Sequence, residues 1–216
     1  MAQYIEELTK RTTLEELNIG DYIECEYYAP TTKVPGIFSN LGTTTAPLLP
    51  KIPGLTSSGK FNFLCVARNK EGLSCIADRS IHKGISYKAL IGTGGLNYIE
   101  GVLHNFSGKQ VIIQSMSQPS FYTSSGGHSE NNEYHRHISN NRLLLKIAQG
   151  SNNIWNWLDV KTVGRNVRDT NLTTYTLLWG KTYLSKFFGV TLAAALDVCF
   201  RPSLYYKFNN VLWGGR

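Results

Sequence analysis

Residues 22–28, Tyr-Ile-Glu-Cys-Glu-Tyr-Tyr, alternate apolar and polar positions, and this period of two predicts a strand with one buried face. Residues 61–67 form a nearly unbroken apolar run, which predicts a strongly buried strand. The turn-forming Asn69-Lys70-Glu71-Gly72 follows, with residues 73–77 as its hairpin partner. Short strands are also predicted over 111–116, 143–147 and 154–158, with a closing strand over 198–206. Residues 36–42 read as a short strand, 172–179 as a strand or loop, and 190–196 as helix or strand. Ile5, Leu8, Leu14 and Leu17, with a capping box at Thr13–Glu16, predict a helical lead-in over 1–17. Ser86 is placed to cap a short helix over 87–91, and Asn131-Asn132 a second over 133–138. Five of the seven prolines fall between 29 and 60, which excludes a long helix or a central strand there. No repeat of 20–50 residues and no linker is visible, so 18–216 reads as a single domain behind the lead-in.

Composition narrows the class. Only 17% of residues are charged while 12% are aromatic, the reverse of a disordered chain. The net charge of +7 favours anionic partners, but no basic run of five or more exists and no nucleic-acid motif is present. No apolar stretch approaches the length of a membrane span, and the N-terminus carries no apolar signal core. The expectation is therefore synthesis in the cytosol, with no nucleic-acid and no membrane partner. Cys25, Cys65, Cys75 and Cys199 each lie in an apolar or strand-like run and are expected as free, buried thiols.

Few residues suggest reaction chemistry. His128, His135 and His137 with Glu130 and Glu133 are the metal-capable cluster, yet no complete zinc spacing is present, so a polar surface helix is expected and no metal. Cys75, Asp78 and His82 make a conceivable nucleophile–base set, but the apolar surroundings of Cys75 predict an inert thiol. The glycines of Ile91-Gly92-Thr93-Gly94-Gly95 lack the lysine of a phosphate loop and read as a turn. The remaining signal is aromatic. Trp155 and Trp157 would share one face of a strand and read as core. Tyr175, Trp179 and Tyr183, among Asn171, Thr173, Thr174 and Thr176, are the candidates for a ligand-contacting surface, because rings beside short hydrogen-bonding side chains suit a sugar or a protein epitope.

Several strings, in this order, resemble a domain of phage and prophage tail-fibre proteins of Gram-positive bacteria. They are Ile19-Gly20-Asp21-Tyr22-Ile23-Glu24-Cys25-Glu26-Tyr27 and Gly36-Ile37-Phe38-Ser39-Asn40-Leu41-Gly42, then Ile76-Ala77-Asp78-Arg79-Ser80-Ile81 with Ile85-Ser86-Tyr87. Asn132-Glu133-Tyr134, Trp155-Asn156-Trp157 and Cys199-Phe200-Arg201-Pro202 complete the set, so the likeness runs over about residues 18–207. The last string is similar to the ending of C-type-lectin-like and formylglycine-generating-enzyme-like folds. The resemblance implies an α+β, C-type-lectin-like fold of short twisted antiparallel strands, two or three short helices and long loops. It implies a non-enzymatic virion protein, a tail-fibre or tail-tip receptor-binding domain that adheres to a host-surface polymer or protein. Its companions would be other phage structural proteins, with a homotrimer as the expected oligomer and no cofactor. The alternative is a structural virion protein of capsid or baseplate. A formylglycine-generating enzyme would need a cysteine pair in the closing segment, where Cys199 stands alone.

Overall fold

The computed structural model describes residues 3–5, 8–46, 58–79, 81–92, 96–98, 100–115, 143–145, 197–200 and 202–208. Their architecture is mostly β, built on one curled half-barrel sheet. In chain order the strands are β1 (Gln3–Ile5), β2 (Lys10–Arg11), β3 (Tyr22–Tyr28), β4 (Ile37–Ser39), β5 (Gly59–Arg68), β6 (Gly72–Ala77) and β7 (His82–Ser86). The single described helix, α1 (Tyr87–Gly92), precedes β8 (Val102–Phe106), β9 (Lys109–Ser115), β10 (Leu143–Leu145), β11 (Asp197–Phe200) and β12 (Pro202–Lys207). The main sheet runs β2-β3-β5-β6-β12-β9-β8, with β4 added beside β3. Its pairs are antiparallel except β2–β3. β7 pairs with β11, and β1 with β10, in two small separate ladders.

This corrects the expected α+β, C-type-lectin-like fold: strands dominate and helix is nearly absent among the described residues. The described part of 1–17 holds β1, β2 and a turn, not a helix. The lead-in's apolar residues are used differently. Leu14 and Leu17 are buried in the sheet's core from a turn, closed by the Leu17 amide donating to the Leu14 carbonyl at 3.3 Å. Apolar spacing of three allows a tight turn as well as a helix, and tertiary burial chose the turn. The closing strand also divides. β11 pairs with β7 in a small ladder, while β12 joins the main sheet between β6 and β9.

The alternation in β3 works as the period predicts. Ile23, Cys25 and Tyr27 face the core, while Tyr22, Glu26 and Tyr28 are half-buried or exposed; Glu24, on their parity, is buried as well, its carboxylate paired with Lys10 and accepting from the Ala46 amide at 2.9 Å. In β5, Phe61, Phe63 and Cys65 face the same core, and Asn62, Leu64 and Val66 are buried on the sheet's other face. Burial on both faces explains the unbroken apolar run. The Asn69–Gly72 turn closes the hairpin, with the Asn69 side-chain oxygen accepting from the Glu71 and Gly72 amides, each at 2.9 Å. α1 begins where expected, the Ala89 amide donating to Ser86 Oγ at 3.1 Å.

Cys25, Cys65 and Cys75 are free and buried. Burial pushes the Cys25 and Cys75 thiols well above their ordinary range, and the Cys65 thiol, directly across the ladder from Cys75, pushes the latter further. The thiolate is the reactive form, so both are chemically quiet in the folded chain. Treatment of native protein with iodoacetamide at pH 8 should leave Cys25, Cys65 and Cys75 unmodified after an hour, and denaturation should make all three react. Mass spectrometry of the peptides reads the result; rapid native labelling of Cys75 would contradict it.

Candidate functional site

The centre of the concave face is a lattice of rings. Phe38 from β4 meets Tyr27 at 4.9 Å, Phe61 at 6.0 Å, Tyr98 at 5.7 Å and Phe200 at 6.3 Å between centroids. Most of these pairs are edge-on or tilted, the arrangement that ring quadrupoles favour. Residues 27 and 38 lie on paired neighbouring strands and 98 and 200 come from two distant parts of the chain, so the lattice ties β3, β4, the segment before β8 and β11 together.

Two histidines are built into this lattice. His82 is fully buried. Its Nε2 lies 3.1 Å from the Thr32 carbonyl and its Nδ1 2.8 Å from the Tyr27 hydroxyl. A carbonyl only accepts, so Nε2 carries the proton; Nδ1 therefore accepts from Tyr27. The Tyr27 oxygen in turn accepts the Gly36 amide at 2.7 Å. Tyr98 donates its hydroxyl to the Gly36 carbonyl at 2.9 Å, and its oxygen faces His104 Nε2 at 3.3 Å. One peptide group, Gly36, is thus held from both sides by two buried tyrosines.

Burial lowers the His82 pKa against a smaller opposing effect of the Thr32 carbonyl, and it lowers His104 from its ordinary 6.5 to about 4. Both rings are neutral at pH 7. Burial also raises Tyr27 to about 12, partly offset by the bond from the Gly36 amide, and it pushes Tyr98 up as well. None of these four groups is poised to exchange a proton with solvent near neutrality.

A second buried polar centre lies at the end of β6. Asp78 Oδ1 accepts from the Asn62 amide at 3.2 Å and from Arg79 Nε at 2.8 Å, and Oδ2 accepts from Asn62 Nδ2 at 2.9 Å and from Arg79 Nη2. Asp78, Asn62 and Arg79 are all buried, so the carboxylate is satisfied by pairing. The conceivable set of Cys75, Asp78 and His82 is not assembled by these bonds: the carboxylate is held by Arg79 and Asn62, and the imidazole by Tyr27 and Thr32.

On the surface, Tyr28 and Ile37 stand directly opposite each other across the β3–β4 ladder and are 59% and 57% exposed. The loop between them, 29–36, carries exposed Pro30, Thr31, Thr32 and Lys33. Elsewhere, a shallow groove of about 370 Å³ opens where the β5–β6 turn meets the end of β12, between Arg68, Glu71, Ser74, Tyr205 and Lys207. Arg68 is committed within it, donating to the Leu17 carbonyl and lying 4.6 Å over the Phe208 ring.

Tyr175, Trp179 and Tyr183 lie outside the described residues, as do Trp155, Trp157, His128, Glu130, Glu133, His135 and His137. Among the described residues there is no group of three or more His, Cys, Asp or Glu able to hold a metal ion, and no helix long and apolar enough to cross a membrane. Sequence reasoning missed Tyr98, His104 and the Tyr27–His82 pair. Tyr27 falls on the buried parity of β3, but its partners are far along the chain, and no local spacing connects them. No known family, curated protein or solved structure matches the chain.

Proposed function

We propose that this chain is a non-enzymatic virion protein that attaches a phage particle to an anionic polymer of the bacterial surface. The observation that carries this reading is the exposed Tyr28–Ile37 pair beside the Thr31-Thr32-Lys33 loop. A ring and an aliphatic side chain provide a platform, the threonines provide short hydrogen-bonding arms, and Lys33 and the +7 chain charge favour an anionic ligand. The strings that carry the tail-fibre resemblance also support it. Tyr27, Phe38 and Phe200, one from each of three strings, pack on one another, so those strings form a framework and leave the loops to face a ligand. A trimer would add strength to weak single sites by avidity.

The test is antibody labelling of purified particles, paired with adsorption of particles carrying Tyr28→Ala and Ile37→Ser. Label at the tail tip with slower adsorption is the expected result. Label on capsid or baseplate with unchanged adsorption would establish the structural alternative, and particles without label would sink both.

A further inference from the structure

We infer that the loop joining β3 to β4 is held shut by an acid-sensitive latch, in which one neutral imidazole, His82, ties both legs of the loop to the core. On the outgoing leg, its Nε2–H donates to the Thr32 carbonyl at 3.1 Å. On the returning leg, its Nδ1 accepts from Tyr27, which accepts the Gly36 amide. The bonds run in one direction: Gly36 N–H to Tyr27 oxygen, Tyr27 O–H to His82 Nδ1, His82 Nε2–H to Thr32 oxygen. Every proton has one acceptor, and every link is used.

A proton added to the ring goes to Nδ1, the one nitrogen that lacks it. Nδ1–H then faces the Tyr27 hydroxyl across 2.8 Å. The Tyr27 oxygen can accept it only by turning its own hydrogen away, and that hydrogen has no other acceptor among its described partners. A buried hydroxyl without a partner, beside a buried cation, costs more than opening the loop and letting water reach the ring. The loop suits release, because Pro30 to Lys33 are already exposed, and among the described residues the side-chain tethers left are the Tyr98 hydroxyl on the Gly36 carbonyl and the Ser58 hydroxyl on the Ala29 amide and carbonyl.

Among the described residues, the groups facing His82 are Tyr27 from β3, the Thr32 carbonyl from the loop and Phe200, in register with it on β11. No charged side chain among the described residues acts on its titration, and Lys33 of the loop is exposed. His104 is different. Its Nε2–H already donates toward Tyr98, so its protonation leaves every bond of the latch in place. The sign follows from burial. A base whose folded pKa lies below its free value of 6.5 binds its proton more readily in the open state. The closed loop is therefore favoured at neutral pH and loses ground as pH falls below that value.

Hydrogen–deuterium exchange on the full chain tests this, expressed as protection factors so that intrinsic exchange cancels. Protection of residues 29–38 should fall by up to about tenfold per pH unit below about 6.5, while the β5–β6 hairpin stays protected. His82→Asn offers Tyr27 an acceptor that does not titrate, and its loop protection should be flat over the same range. Equal acid loss in wild type and His82→Asn would overturn the latch, as would a wild-type loop that opens only together with the hairpin. If His82→Asn does not fold, imidazole NMR of the wild type decides. Protonation of His82 coincident with loss of the Gly36 amide supports the latch, and a protonated His82 beneath a still protected Gly36 refutes it.

Discussion

Replacing Asp78 by Ala is expected to cost about 3–5 kcal/mol, the usual penalty for removing one partner of a buried ion pair. Asp78 is 1% exposed and answers four donors from Asn62 and Arg79. Its removal takes two carboxylate bonds from a guanidinium that is itself buried, and two more from Asn62. Those donors sit between β5 and β6, whose ladder is the middle of the sheet, so the loss is not confined to a mobile edge. For a chain of this length the melting temperature should drop by about 10 °C or more. The double substitution Asp78→Ala with Arg79→Met should recover part of the loss, because it also removes the buried charge that Asp78 neutralised. Thermal melting followed by circular dichroism reads both. A drop below about 3 °C for Asp78→Ala would mean that water reaches this carboxylate and that the cluster is not a buried centre.

Gly36→Ala is expected to cost about 3 kcal/mol, at the upper end for overpacking, because the obstacle is backbone. A Cβ at this position would fall inside contact distance of the Tyr28 carbonyl and 2.8 Å from Ala29 Cα. Neither can swing aside as the end of a flexible side chain would. To make room, the returning leg must move off β3, which pulls the Gly36 amide from Tyr27 and the Gly36 carbonyl from Tyr98. The variant should therefore show loss of stability together with a rise in near-ultraviolet tyrosine mobility, and a loop that exchanges quickly even at pH 7. Gly84→Ala is the contrast: a Cβ there meets nothing within 4 Å, although its φ of +75° makes any side chain strained. Its cost should be about 1 kcal/mol and leave the Gly36 clamp intact. Equal effects of the two substitutions would show that crowding at Gly36 is not what fixes the loop.

Local pattern decided more of the strands than of the architecture. The period-two run at 22–28, the apolar run at 61–67, the Asn69–Gly72 turn and the Ser86 cap all appear where the residues placed them, because each is settled by neighbours in the chain. Leu14 and Leu17 show the limit of that reasoning. Their spacing suits a helix, yet a sheet core nearby buries them from a turn, and burial outweighs a weak intrinsic preference in so short a segment. β7 and β8 were not foreseen for a related reason. β7 buries the polar His82, and β8 is half-buried or exposed along its whole length with His104 at its centre, so neither reads as an apolar strand.

What the sequence determines by itself is chemical inventory and local periodicity: buried-parity cysteines, an aromatic-rich and charge-poor chain, strands from alternation, and a turn from Asn and Gly. What the tertiary structure alone decides is which distant groups meet. Tyr27 and His82 are 55 residues apart, Tyr98 and Gly36 are 62 apart, and Tyr206 donates to Glu15 at 2.5 Å across 191 residues. The same holds for protonation. His82 and His104 would titrate near 6.5 in an open chain, and it is desolvation inside the ring lattice that keeps them neutral. Desolvation depends on everything that surrounds a group, and those surroundings exist only once strands from the beginning, middle and end of the chain have closed on one core.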